Sequence, residues 1–219
     1  MNDFLEELFQ AMAQSILDGD TDAAKELAIQ SIDDGYDPQQ VITSGYMAGI
    51  NQVGEAFACG ESFLPELVMA GEAMKAALSV LEPEMKRRGS ERVVQGKVIL
   101  ATVQGDIHEI GKSLVGTMLT AAGFEVFDLG VDVPSAVIIE KVRQVEAEMV
   151  ALSALLTTTM VRQQQVIEEL EKVGLRSSVK VIVGGAPVTR EWVERIGADG
   201  TSQDAIGSVA LARRLLHET

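Results

Sequence analysis

Through residues 1–90 apolar side chains recur every three or four positions, and β-branched runs are scarce. That is the period of helices that bury one face. Phe4, Leu5, Leu8, Met12, Ile16 and Leu17 mark a first stripe. Asp20 or Thr21 can cap a second helix, which Gly35 ends. Asp37-Pro38 joins a capping residue to proline at the first helical position, so it opens a third helix running toward Phe57. Ser62 to about Met85 reads as a fourth, with Pro65 tolerated in its first turn. Four helices in this length predict a small four-helix bundle.

The pattern then changes. Lys97–Val103 is an apolar, β-branched run, the mark of a strand buried on both faces. A helix is expected from about Gly111 to Ala122, stopped by Gly123, and then a strand over Glu125–Leu129. Pro134 starts the next helix. Met149–Ser153 and Val179–Val183 read as the third and fourth strands, and Ala198–Thr201 as a short fifth. A last helix covers Asp204–His217, with Trp192 packing against the sheet. Strands alternating with helices predict a parallel sheet of the Rossmann-like (flavodoxin-like) kind. The expected domains are 1–90 and 91–219, joined through Lys86-Arg87-Arg88-Gly89-Ser90.

Charge sharpens this division. The chain of 219 residues carries a net charge of −15, and residues 1–90 hold 16 acids against 5 bases. Such a chain repels phosphate backbones and anionic bilayers, so neither nucleic acid nor membrane is an expected partner. The first basic residue is Lys25, and no apolar run approaches a membrane span, so a soluble cytoplasmic protein is expected. The lone cysteine, Cys59, has no disulfide partner within the chain and is expected to be a small buried or half-buried residue. The nine methionines are scattered and read as packing filler.

Two histidines are present. His217 falls on the last helix, where an exposed side chain near a helix end is expected. His108 lies in Gly105-Asp106-Ile107-His108-Glu109-Ile110-Gly111, just past the first strand. Parallel sheets bind ligands there. A neutral imidazole can bind a metal through one nitrogen while its other N–H donates to a carboxylate, and Asp106 is placed for that. One histidine is too few ligands for zinc but suffices for a metal already held in a macrocycle. The plain alternative is a loop histidine bonded to its neighbouring aspartate. Gly111-Lys112-Ser113 also looks like the end of a phosphate-binding loop. That motif needs glycine where Asp106 stands, and the acids would repel phosphate. Gly111 instead lets a helix start close to a bulky ligand.

Small and hydroxylic residues follow the later strands: Ser153-Ala154-Leu155, Thr157-Thr158-Thr159 and Gly184-Gly185. Asp106-x-His108-x-x-Gly111, 41 residues, Ser153-x-Leu155, 28 residues, then Gly184-Gly185: this series resembles the cobalamin-binding fingerprint of methionine synthase and its relatives. Gly49–Phe57 and Phe63–Leu67 resemble the helical cap that precedes that fold. The two-part size is similar to that of the corrinoid proteins serving methanol, methylamine and betaine methyltransferases.

The resemblance implies a cobalamin cofactor bound base-off, with His108 as lower axial ligand of cobalt and Asp106 hydrogen-bonded to it. Thr159 would end the proton relay, at a position where the family often has serine. Gly105, Ile107, Glu109, Ile110 and Gly111 belong to the binding loop. Ser153, Leu155, Thr157, Gly184 and Gly185 would line the slot for the displaced nucleotide tail, with Ala205 touching that tail from a later loop. Phe57, Leu64 and Leu67 would cover the upper face of the corrin; as large apolar helix residues they are equally expected in plain bundle core. The implied function is a methyl carrier between partner methyltransferases, with tetrahydrofolate or a thiol as acceptor and a corrinoid reactivase as a further partner. A mutase subunit would need a barrel domain, and a sensor would need a DNA-binding head; neither is expected here. A generic α/β domain without corrinoid would leave the three spacings to coincidence.

Overall fold

A computed structural model describes residues 3–89 and 94–217. They form two compact units, one of 3–89 with Ala121–Gly123 and one of 94–120 and 124–217. The expected boundary between residues 90 and 91, with Ser90 of the linker, lies outside the described residues.

The first unit is helical. Helix α1 spans Asp3–Leu17 and α2 Thr21–Asp33. Asp20 caps α2, its carboxylate accepting the N–H groups of Asp22 and Ala23. Asp37 caps α3 (Pro38–Gln40) in the same way through Gln40. From α3 the chain winds on through a π-helical stretch, Val41–Tyr46, into α4 (Met47–Ala58). Helix α5 spans Leu64–Arg87, and its Glu66 accepts the Phe63 N–H at 3.0 Å. Leu8, Met12 and Ile16 are buried as the stripe implies, whereas Phe4 is 50% exposed, because it lies in the first turn.

Two glycines decide how α1 packs. A Cβ on Gly45 would meet the Met12 sulfur at 2.8 Å, and one on Gly49 would meet the Ala13 carbonyl at 2.3 Å. Spaced one turn apart, they let the α1 backbone approach. Tyr46, between them in sequence, is fully buried and donates its hydroxyl to the Ala24 carbonyl at 2.6 Å. Burial pushes its phenol well above the usual range.

The second unit is a four-stranded, all-parallel sheet of order β2-β1-β3-β4. The strands are β1 (Lys97–Thr102), β2 (Glu125–Asp128), β3 (Met149–Ser153) and β4 (Lys180–Gly184). Helices α6 (Ile110–Ala121), α7 (Ser135–Val145) and α8 (Thr157–Lys172) connect them. Helices α9 (Arg190–Ile196) and α10 (Ala205–His217) follow. The fifth strand expected at Ala198–Thr201 does not form. Gly200 makes a single bridge to Ile182, and the segment turns away.

Side chains alternate across each strand. Ile99, Val150 and Val181 enter an apolar core with α7, α8 and α9, which includes buried Trp192. The opposite face presents Leu100, Ala151 and Ile182 to an open cleft bordered by α6 and α10. The strand order reverses between β1 and β3, and that switch point is where ligands sit on such sheets.

Candidate functional site

The site is built from the loops leaving β1 and β3. Asp106 is 1% exposed. Its Oδ1 accepts the backbone N–H of His108 at 3.1 Å and faces His108 Nδ1 at 2.7 Å. Its Oδ2 accepts the Leu155 N–H at 2.8 Å and the Thr159 hydroxyl at 2.6 Å. The Thr159 hydroxyl also lies 2.9 Å from the Leu156 carbonyl, so its one proton has two acceptors.

Burial alone would push the pKa of Asp106 up. The hydrogen bonds from Thr159, His108 and Leu155 outweigh it and hold the carboxyl well below the usual range. Asp106 is therefore an acceptor-only carboxylate. Nδ1 of His108 must carry the proton of the 2.7 Å bond. In the neutral ring the free lone pair then belongs to Nε2. His108 is half-exposed on its side chain and lines the cleft.

The cleft encloses about 1660 Å³. Ile107, His108, Glu109, Ile110 and Gly111 form one rim; Ser153, Leu155, Gly184, Gly185 and Ala205 line the rest with aliphatic sheet residues. The structure thus brings together these ten expected positions. Gly105, which is exposed, and Asp106 and Thr159, which are buried, are not among the lining residues. Thr157 is exposed at the start of α8 and is not among the lining residues. Phe57, Leu64 and Leu67 belong to the helical unit. Phe57 is half-buried, Leu64 is 36% exposed and Leu67 is fully buried.

Gly185 has a specific reason to be glycine. Its φ is +126°, and a Cβ there would stand 1.8 Å from the Ala154 carbonyl oxygen. The β4 end can therefore pass close to the β3 end and keep the slot narrow. Gly111 and Gly184 differ, since a Cβ on either would meet no protein atom within 4 Å and would project into open space.

Three further residues shape the site, and two of them, Gln163 and Asp132, have no motif to announce them. Gln163 is fully buried on α8. It donates to the carbonyls of Leu152 and Gly184 and accepts the Trp192 indole N–H at 2.9 Å, tying the ends of β3 and β4 to α9. Lys112 is buried against the Asp128 carboxylate, which anchors α6 to β2. Its ammonium is thereby engaged, which disposes of the phosphate-loop reading. Asp132 bonds to the β1 loop.

Cys59 is exposed, contrary to expectation, because it caps the end of α4 at the unit's surface. His217 is exposed in the last turn of α10. Among the described residues no cluster of three or more His, Cys, Asp or Glu side chains could hold a metal ion, and no helix is long and apolar enough to cross a membrane.

Two family models, each described as a B12 binding domain, match the chain over residues 96–210 and 8–82. A corrinoid protein of Desulfitobacterium hafniense is 45% identical over 95% of this chain and 97% of its own length. The trimethylamine corrinoid protein of Methanosarcina barkeri is 44% identical over 97% of this chain and 98% of its own. A chain in the crystal structure of the methanol:cobalamin methyltransferase complex of Methanosarcina barkeri superposes with a TM-score of 0.88 at 28% identity, covering 97% of this chain and 81% of that one. The protein belongs to the B12-binding corrinoid proteins, and its cofactor is a corrinoid.

The residues present fit that group. A lone imidazole with one nitrogen fixed by a carboxylate suits a metal whose remaining ligands come from a macrocycle. The small, apolar floor of Leu100, Ala151, Gly184 and Ile182 suits an inserted aromatic tail.

Proposed function

We propose that this protein is a methyl carrier that binds cobalamin base-off, with His108 Nε2 as the lower axial ligand. The observation that carries the reading is the Asp106–His108 pair, which fixes the tautomer and leaves Nε2 as the metal-binding nitrogen at the cleft rim. Bound cobalamin supplies a cobalt centre that accepts and releases a methyl group.

The chain's own residues tune and shield that centre. Asp106 orients His108 and raises its basicity as a ligand. Thr159 donates to the far oxygen of Asp106, so the carboxylate's charge is shared between an imidazole and a hydroxyl. Ser153, Leu155, Gly184, Gly185 and Ala205 hold the displaced tail in the slot. Phe57 and Leu64 are the helical unit's accessible candidates for keeping water from a bound corrin, whereas the fully buried Leu67 packs in that unit's core.

Methyltransferase partners are supported by the relatives, whose names refer to trimethylamine and to a methanol methyltransferase complex. Tetrahydrofolate or a thiol is the proposed final acceptor, and a corrinoid reactivase a further partner. The test uses protein reconstituted with cobalamin and reduced by a chemical reductant, a methylamine- or methanol-activating methyltransferase, and donor carrying a labelled methyl group. Label should comigrate with the carrier on gel filtration. Label that never leaves any of these donors contradicts the carrier reading.

A further inference from the structure

We propose that Asp132 is a positioning residue for the axial-ligand loop; the inference rests on the reading of His108 as the cobalt ligand. Asp132 lies in the loop after β2, outside every motif of the sequence. Its carboxylate accepts the Gly105 N–H at 2.7 Å, and its own N–H donates to the Asp106 carbonyl at 2.9 Å. These two bonds grip the Gly105–Asp106 segment from the β2 side. On the β3 side, Leu155 and Thr159 hold only the Asp106 side chain.

Asp106 is thus fixed twice, by its backbone through Asp132 and by its carboxylate through the loop after β3. The direction of the Asp106 side chain toward His108 depends on both. The backbone of Asp132 supports this role. Its φ of 54° is left-handed, a conformation that non-glycine residues adopt at some cost. Aspartate and asparagine bear it best, because a short polar side chain can bond locally. Next to it Val133 pairs with Val103 and donates to the Thr102 carbonyl, so the strained residue is held from the adjoining strand end. Thr102 in turn donates its hydroxyl to the His108 carbonyl at 3.0 Å. Asp132 and Thr102 therefore frame the Gly105–His108 loop at its beginning and its end.

Glycine accepts a φ of 54° without strain. Asp132→Gly therefore keeps the chain path and removes only the carboxylate acceptor. Asp132→Asn keeps both an acceptor oxygen and the tolerance for the left-handed region. With bound hydroxocobalamin at fixed pH, the equilibrium between histidine-ligated and histidine-free forms is read from the absorption spectrum. Asp132→Gly should shift it about three- to ten-fold toward the histidine-free form, the factor a lost hydrogen bond carries, and Asp132→Asn should restore it. A merely structural role would lower the melting temperature and leave that equilibrium alone.

A second readout needs no cofactor and no variant. In the apoprotein the Gly105 amide should exchange slowly with solvent, and its exchange at the rate of a free amide would overturn the proposal. His108→Ala separates the two ideas. If His108→Ala and the wild type give the same spectrum, the axial reading has failed. If they differ while Asp132→Gly matches the wild type, the positioning role of Asp132 is wrong.

Discussion

Thr159 donates its hydroxyl to Asp106 at 2.6 Å, joining residues 53 positions apart in the chain. This bond links the first turn of α8 to the β1–α6 loop, and both partners are buried. Removing the hydroxyl leaves a buried carboxylate with one donor fewer. Thr159→Val should cost about 1–2 kcal/mol. It should also weaken His108 ligation in the cobalamin-loaded protein, seen by absorption. Thr159→Ser should keep both properties near those of the wild type.

Asp106→Asn tests the other end of the same bond. An amide has one acceptor oxygen, so its NH₂ would face either the Leu155 N–H and Thr159 hydroxyl or the His108 N–H groups. The loss should be about 2–4 kcal/mol in chemical denaturation. The pH dependence has a definite sign. The folded carboxyl is held below its unfolded value of about 3.9, so its contribution is complete above that value and lost as pH falls through the lower folded one. Wild-type protein should therefore lose stability on acidification below about pH 4 more steeply than Asp106→Asn. Equal slopes would remove Asp106 from this account.

Gly185→Ala places a methyl group 1.8 Å from the Ala154 carbonyl oxygen at a φ of +126°. Neither atom can yield without moving the β3 or β4 end. A loss of about 3 kcal/mol in thermal unfolding, with reduced cobalamin retention, is expected. Gly184→Ala is the control: its added methyl meets no protein atom within 4 Å, so it should fold normally and affect only what enters the slot.

In the helical unit, Tyr46→Phe removes the 2.6 Å bond to the Ala24 carbonyl while keeping the ring. Denaturant titration should show a loss of about 1 kcal/mol. His108 ligation should be unchanged.

Much of the fold was legible because its signals are local. Asp20 and Asp37 cap helices where the sequence places them, and Met149–Ser153 forms the strand that its apolar run announces. The site was legible where a motif marks it: Asp106 meets His108, and Thr159 meets Asp106. What escaped the sequence depends on long-range packing. The π-helical stretch at Val41–Tyr46 has no local signature, and Gly45 shows its use only once α1 lies against it. Gln163 reads as an ordinary polar helix residue until Leu152, Gly184 and Trp192 surround it. The segment at Ala198–Thr201 follows the β-α spacing, but Asp199 and Gly200 are poor strand formers, and it makes only one bridge to β4 before α10 begins.

The central claim is that His108, held by Asp106, supplies the lower ligand of the corrinoid. The most direct measurement is the absorption spectrum of purified wild-type and His108→Ala protein after mixing with hydroxocobalamin and removing free cofactor. The wild type is expected to retain the corrinoid with a histidine-ligated spectrum, and His108→Ala to show the ligand-free, base-off form. A variant spectrum identical to the wild type's, or a folded wild-type protein that emerges colourless, would contradict it.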